Sequence, residues 1–174
     1  MPRLVYLIDD NPTALEIKRT KLANSGFEVF PFQHPLDMLD ELANCPLDNN
    51  RPYAVLANNE TSGITGANVI CFLRPQSVNY SLKPVVDRKV VELYTDVSRR
   101  RKIDNLAETG YGGKLVLTSR RDLNQQDMAN WMSMKVSEVI ERATLNEALR
   151  ISDRVFHVGE DGSGMDKLIK YLLQ

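Results

Sequence analysis

Leu4-Val5-Tyr6-Leu7-Ile8 is an unbroken apolar run that stops abruptly at Asp9-Asp10-Asn11-Pro12. A strand that is apolar at every position must be covered on both faces, which suits a parallel sheet with helices on either side. Asn11 then reads as a helix N-cap and Pro12 as the first helical residue. Leu15, Ile17, Leu22 and Ala23 form a rough apolar stripe that Gly26 can close. The pattern recurs along the chain. Glu28 to Phe32 reads as a strand, Pro35 to Leu42 as a short helix and Tyr53 to Ala57 as a strand entered from the turn-rich Asp48-Asn49-Asn50-Arg51-Pro52. After Gly63 and Gly66 a helix runs through Ile70, Phe72 and Leu73; Lys114 to Thr118 and Arg154 to Val158 supply two more strands, and about Met165 to Leu172 a last helix. This alternation predicts a five-stranded parallel sheet with right-handed crossovers and helices on both faces.

Two long segments interrupt the alternation. Residues 75–113 are expected to hold a helix with Val86, Val90, Leu93 and Val97 on one stripe. Residues 124–151 are expected to hold another, with Met128, Trp131, Met132, Val136, Val139, Ile140 and Ala143 largely on one face. The length suits a single domain, residues 1–174. Lys plus Arg (22) nearly balances Asp plus Glu (23), so charge singles out no polyanionic or polycationic partner. The apolar start is too short for a signal peptide, and no apolar segment approaches bilayer-spanning length. Cys45 and Cys71, like His34 and His157, lack the spacing of a metal or redox motif. A cytoplasmic protein with reduced thiols and no membrane contact is the expectation.

In an open parallel sheet, ligands gather where the carboxyl ends of the strands meet the loops, and Asp9 and Asp10 sit at such an end. Two adjacent carboxylates repel unless a cation or basic side chain lies between them, and hard oxygen donors suit Mg²⁺. The plainer alternative is one capping and one solvated aspartate.

The stretch from Leu4 through the acidic pair to Pro12 resembles the opening of bacterial response-regulator receiver domains. Gly26-Phe27-Glu28-Val29, the helix near Leu36 to Leu42 and the stretch Tyr53 to Gly66 continue the resemblance. It covers roughly residues 3–74 and returns at the fourth strand and, weakly, at the C-terminus. It implies a flavodoxin-like α/β fold, a (βα)5 three-layer sandwich with enlarged helical segments after strands three and four.

Carried across, the pattern is degenerate. Receivers place the phosphorylated aspartate at the end of strand three, at a fixed distance before the loop glycine, and counting back from Gly66 lands on Asn58. An amide does not accept a phosphoryl group as a carboxylate does. Asn59 is also an amide, and Glu60 matches the residue whose backbone carbonyl helps hold the metal. Asp9, Asp10 and Glu60 form the expected acidic pocket. Thr118 matches the hydroxyl residue at the end of strand four and Phe156 the switch aromatic. Gly159 falls where the family has a lysine, so phosphate stabilisation there would be weak. No cofactor is required on this reading, and any Mg²⁺ site would be a weak one.

The expected function is a phosphorylation-independent module of a bacterial two-component-type system, acting through protein partners or a second copy of itself, and not an enzyme. Val86, Val90, Leu93 and Val97, with Met128, Trp131 and Met132, are the expected interface. Two rival readings exist. Asp9 to Thr13, Thr118 and the Gly159 to Asp166 stretch loosely resemble haloacid-dehalogenase-like phosphatases, with Asp9 as nucleophile. The Arg99-Arg100-Arg101-Lys102 run is a candidate nucleic-acid contact, but Asp96, Asp104 and Glu108 flank it, and a solvated helix face is the expectation. Arg120 and Arg121 lie at the mouth of the pocket and could neutralise it.

Overall fold

A computed structural model describes residues 2–45, 51–93, 96–121 and 135–174. The five strands β1 (Arg3–Ile8), β2 (Phe27–Phe32), β3 (Ala54–Asn58), β4 (Lys114–Ser119) and β5 (Arg154–His157) form one parallel sheet in the order β2-β1-β3-β4-β5. The expected flavodoxin-like architecture is the one observed. Helix α1 (Pro12–Asn24) starts as its sequence dictates. Asn11 accepts the backbone N–H groups of Thr13 and Ala14, and Pro12 needs no donor in the first turn. Gly26, at φ 88°, takes the left-handed turn that follows the helix.

The central strands are apolar on both faces because two layers cover them. Val5, Leu7, Leu56 and Val116 pack under α1 and α7 (Met165–Leu173) through Leu15, Leu22, Leu168 and Leu172. Tyr6, Ile8, Val55, Ala57, Leu115 and Leu117 face the opposite layer. That layer holds α2 (Pro35–Asn44), α3 (Gly66–Leu73), α4 (Lys83–Val91), α5 (Val97–Thr109) and α6 (Val136–Ile151).

The structure corrects three expectations. The stripe expected to run from Val86 to Val97 on one helix is broken into α4 and α5. Asp96 is an N-cap, accepting the Ser98 and Arg99 N–H groups, so the chain leaves one helix and starts another just before Val97. Val86 and Val90 are 1% and 0% exposed and belong to the core, which removes them from the expected interface; Leu93 and Val97 are exposed, Val97 at 83%. In α1 the buried face is Ala14, Leu15, Lys18 and Leu22, with Ala23 exposed. Helix α6 begins at Val136 among the described residues; Met128, Trp131 and Met132 lie outside them.

Candidate functional site at the carboxyl edge of the sheet

Side chains alternate along a strand, so Asp9 lies on the side of Val5 and Leu7, Asn58 on that of Leu56, and Thr118 on that of Val116. All three therefore fall on the face covered by α1 and α7. The register aligns them: Asn58 is opposite Thr118, and Thr118 is opposite Phe156. The Asn59 N–H donates to the Thr118 carbonyl at 2.8 Å, extending the pairing past the end of β3. Phe156 is half-buried, its ring 5.7 Å from that of Tyr171 on α7. Gly66 is required where it stands. A Cβ there would lie 2.6 Å from the Asn58 carbonyl oxygen, so only glycine lets α3 start this close to β3.

Each carboxylate at this edge is held by the protein itself. Asp9, fully buried, accepts the Lys18 ammonium at 2.5 Å on one oxygen and the Asn11 N–H at 3.0 Å on the other. Asp10 accepts both the N–H and the hydroxyl of Ser62, at 2.9 and 2.8 Å. Glu60 accepts the Ser119 hydroxyl and the Arg120 N–H. The Arg120 guanidinium pairs with Glu160, and this hydrogen bond is the main cause that holds its proton more firmly than usual, with Asp9 and Glu60 adding to the effect. His157 meets the Arg120 carbonyl through Nε2 at 2.8 Å. These contacts form a polar belt. It ties the loop after β1 to the loop after β3, that loop to the one after β4, and that one to the loop after β5.

The neutral groups inside the belt are different. Asn58 is fully buried, and neither its amide nitrogen nor its amide oxygen has a protein partner; the Thr118 hydroxyl and the Asn59 amide oxygen also have none.

The residues do not fit the metal that the acidic pair suggests. Asp9, Asp10 and Glu60 point their oxygens at three different sets of protein donors, and Asn58 at the end of β3 is an uncharged amide. Among the described residues no group of three or more His, Cys, Asp or Glu side chains is placed to hold a metal ion.

Gly159 sits in a tight turn, its N–H donating to the Ser163 carbonyl at 3.0 Å. The ammonium groups near this edge come instead from α1. Lys18 reaches Asp9, and Lys21 donates to the Gly162 carbonyl at 2.9 Å. Lys18 is the residue sequence reasoning missed. Its signal was a lysine between Leu15 and Leu22, at the spacing of a buried helix face. Of the basic run, Arg99 pairs with Asp40 at 3.6 Å and Lys102 donates to Asn44 at 2.6 Å, as a solvated helix face would.

No family model matches the chain, and no curated protein matches it. Solved structures do. The response regulator TrrA of Thermotoga maritima, in a complex with the histidine kinase ThkA, aligns over 99% of each chain at 14% identity with a TM-score of 0.54. A response-regulator signal receiver domain from Bermanella marisrubri aligns over 100% of each chain at 11% identity, TM-score 0.53. A CheY-like receiver domain from Methanospirillum hungatei covers 99% of this chain and 94% of its own, at 11% identity and TM-score 0.52. The chain has the fold of a receiver domain. At these identities the likeness is one of architecture.

Proposed function

We infer that this chain is a receiver-type signalling module that works through protein–protein contacts without aspartyl phosphorylation. The observation that carries this reading is Asn58. It stands, fully buried, at the end of β3 and beside Thr118, where the receiver pattern puts its phosphoacceptor, and it offers no carboxylate. The belt supports the same reading, since it holds the loops around Asn58 in one arrangement without a phosphoryl group. A signal then passes through surface contacts with a partner or a second copy. Exposed Tyr80, Leu93 and Val97, on and beside the inserted helices, are the apolar groups available for such a contact. The structural neighbour in complex with a histidine kinase makes a protein partner in a two-component-type system the natural expectation.

The rival enzyme reading loses its nucleophile. Asp9 is buried, and both of its oxygens are engaged, so it has no access to a phosphoester. The nucleic-acid reading is weakened, since Arg99 and Lys102 are turned to partners on α2 and only Arg100 and Arg101 of the run face outward without one among the contacts described. Among the described residues no helix is long and apolar enough to cross a membrane. The test is incubation with Mg²⁺ and acetyl phosphate, read by intact mass. An unchanged mass is expected. A stable phosphoryl adduct would overturn the reading, and release of phosphate without an adduct would favour the phosphatase.

A further inference from the structure

The geometry points to Lys18 as this site's own cation: a tethered ammonium that holds Asp9 where a receiver-type site would hold a divalent metal ion, and that closes the edge to such ions. The inference rests on reading this edge as a receiver-type site. A lysine on a buried helix face is costly unless its charge is paired and hydrogen-bonded. Lys18 is 1% exposed among Ala14, Leu15 and Leu22, and Asp9 is 0% exposed; the ammonium and carboxylate meet at 2.5 Å. The remaining Asp9 oxygen accepts the Asn11 N–H, so an incoming ion must compete at both oxygens with donors the protein already supplies.

Charge explains why Lys18 and Asn58 belong together. A receiver-type site balances an acid pair and a phosphoacceptor carboxylate against a divalent ion. Leaving aside the family's lysine position, which is Gly159 here, the amide of Asn58 removes one negative charge and one ammonium stands in for the two charges of the ion, so the acids and their cation keep the same net charge. A divalent ion beside Lys18 would meet like-charge repulsion in a dry setting. Asn58 and Lys18 are therefore two halves of one substitution. The first removes the chemistry, and the second removes the need for the metal that served it.

The experiment is Mn²⁺ binding followed by loss of the free-ion electron paramagnetic resonance signal, for the wild-type chain, Lys18→Met, and Lys18→Met combined with Asp9→Asn. The wild type should leave the signal unchanged into the millimolar range. Lys18→Met should bind about tenfold or more tighter, because it frees a buried carboxylate next to Asp10. Adding Asp9→Asn should abolish the gain. Wild-type binding as tight as that of Lys18→Met, or a folded Lys18→Met that gains nothing, would overturn the inference. Should Lys18→Met lose its thermal transition in chelator, millimolar Mg²⁺ should restore it, and absence of rescue overturns the inference equally. Mn²⁺ binding addresses Lys18 alone, whereas phosphoryl incorporation addresses the signalling reading, so the two fail separately.

Discussion

The acids at the carboxyl edge of the sheet and the neutral groups they surround are treated in opposite ways. Asp9, Asp10 and Glu60 each have two protein donors, from side chains or backbone. Asn58 and Thr118, buried at the ends of the neighbouring strands β3 and β4, have no hydrogen-bond partner for their side chains. In a site built for chemistry the expectation is the reverse, with acids left open for a ligand and neighbours held fixed to orient it. The difference indicates that the carboxylates act as struts between loops, around buried groups that carry no charge.

The sharpest way to break that comparison is to remove one member of the buried pair. Lys18→Met should cost about 3–5 kcal/mol in urea unfolding, because it strands Asp9 without a partner. Lys18→Met with Asp9→Asn should recover more than half of that loss. A cost for the single substitution as small as the ~0.2–1 kcal/mol of an exposed pair would mean that the acids are not struts. Next in size is Asn58→Asp, which places a carboxylate where no donor waits. A loss of about 1–3 kcal/mol is expected from unfolding curves near neutral pH, and an Asn58→Asp variant as stable as the wild type would show that the centre still accommodates an acid.

A carboxylate away from this edge sharpens the comparison. Glu147 on α6 accepts the Asn79 N–H at 2.6 Å and pairs with Arg150 at 2.7 Å, joining α6 to the segment that leads into α4. Its hydrogen bond to Arg150, followed by that from the Asn79 backbone, holds its carboxyl below the usual range, against the opposing pull of desolvation. A lowered folded value stabilises the protein above the unfolded carboxylate range and loses that contribution as pH falls through the folded value. Glu147→Gln should therefore cost about 1 kcal/mol at neutral pH, with wild-type and variant stabilities converging in acid. Smallest of all is Thr118→Val. It removes a hydroxyl that makes no protein hydrogen bond and keeps its shape, so its unfolding midpoint should shift by less than the equivalent of ~0.5 kcal/mol.

Most of the architecture was legible because it rests on local patterns. The run Leu4 to Ile8, the Asn11-Pro12 start of α1 and the glycine at position 66 each fix a strand end or a helix entry with one or two residues. That Asn58 stands near the end of β3, close to Gly66, was legible for the same reason. The rest depended on contacts distant in sequence. Nothing local says that Lys18 turns inward to Asp9 or that Ser62 closes on Asp10. The belt from Glu60 through Arg120 to Glu160 joins three separate loops. The break between α4 and α5 was signalled by Asp96, but the valine and leucine spacing read as one stripe because Leu93, beyond α4, and exposed Val97, at the start of α5, continue the three- and four-residue intervals of Val86 and Val90. Val86 and Val90 were assigned to an interface because periodicity identifies an apolar face without identifying what covers it; here the core does.

The central claim is that this edge is closed by its own side chains. It is tested most directly by titrating the isotopically labelled protein with beryllofluoride and Mg²⁺ while following backbone amide resonances. The amides of Asp9, Asp10, Asn58, Asn59 and Thr118 are expected to stay where they are. Saturable shifts at those five positions would mean that the edge receives a phosphoryl-like group with its metal and is not closed by its own side chains.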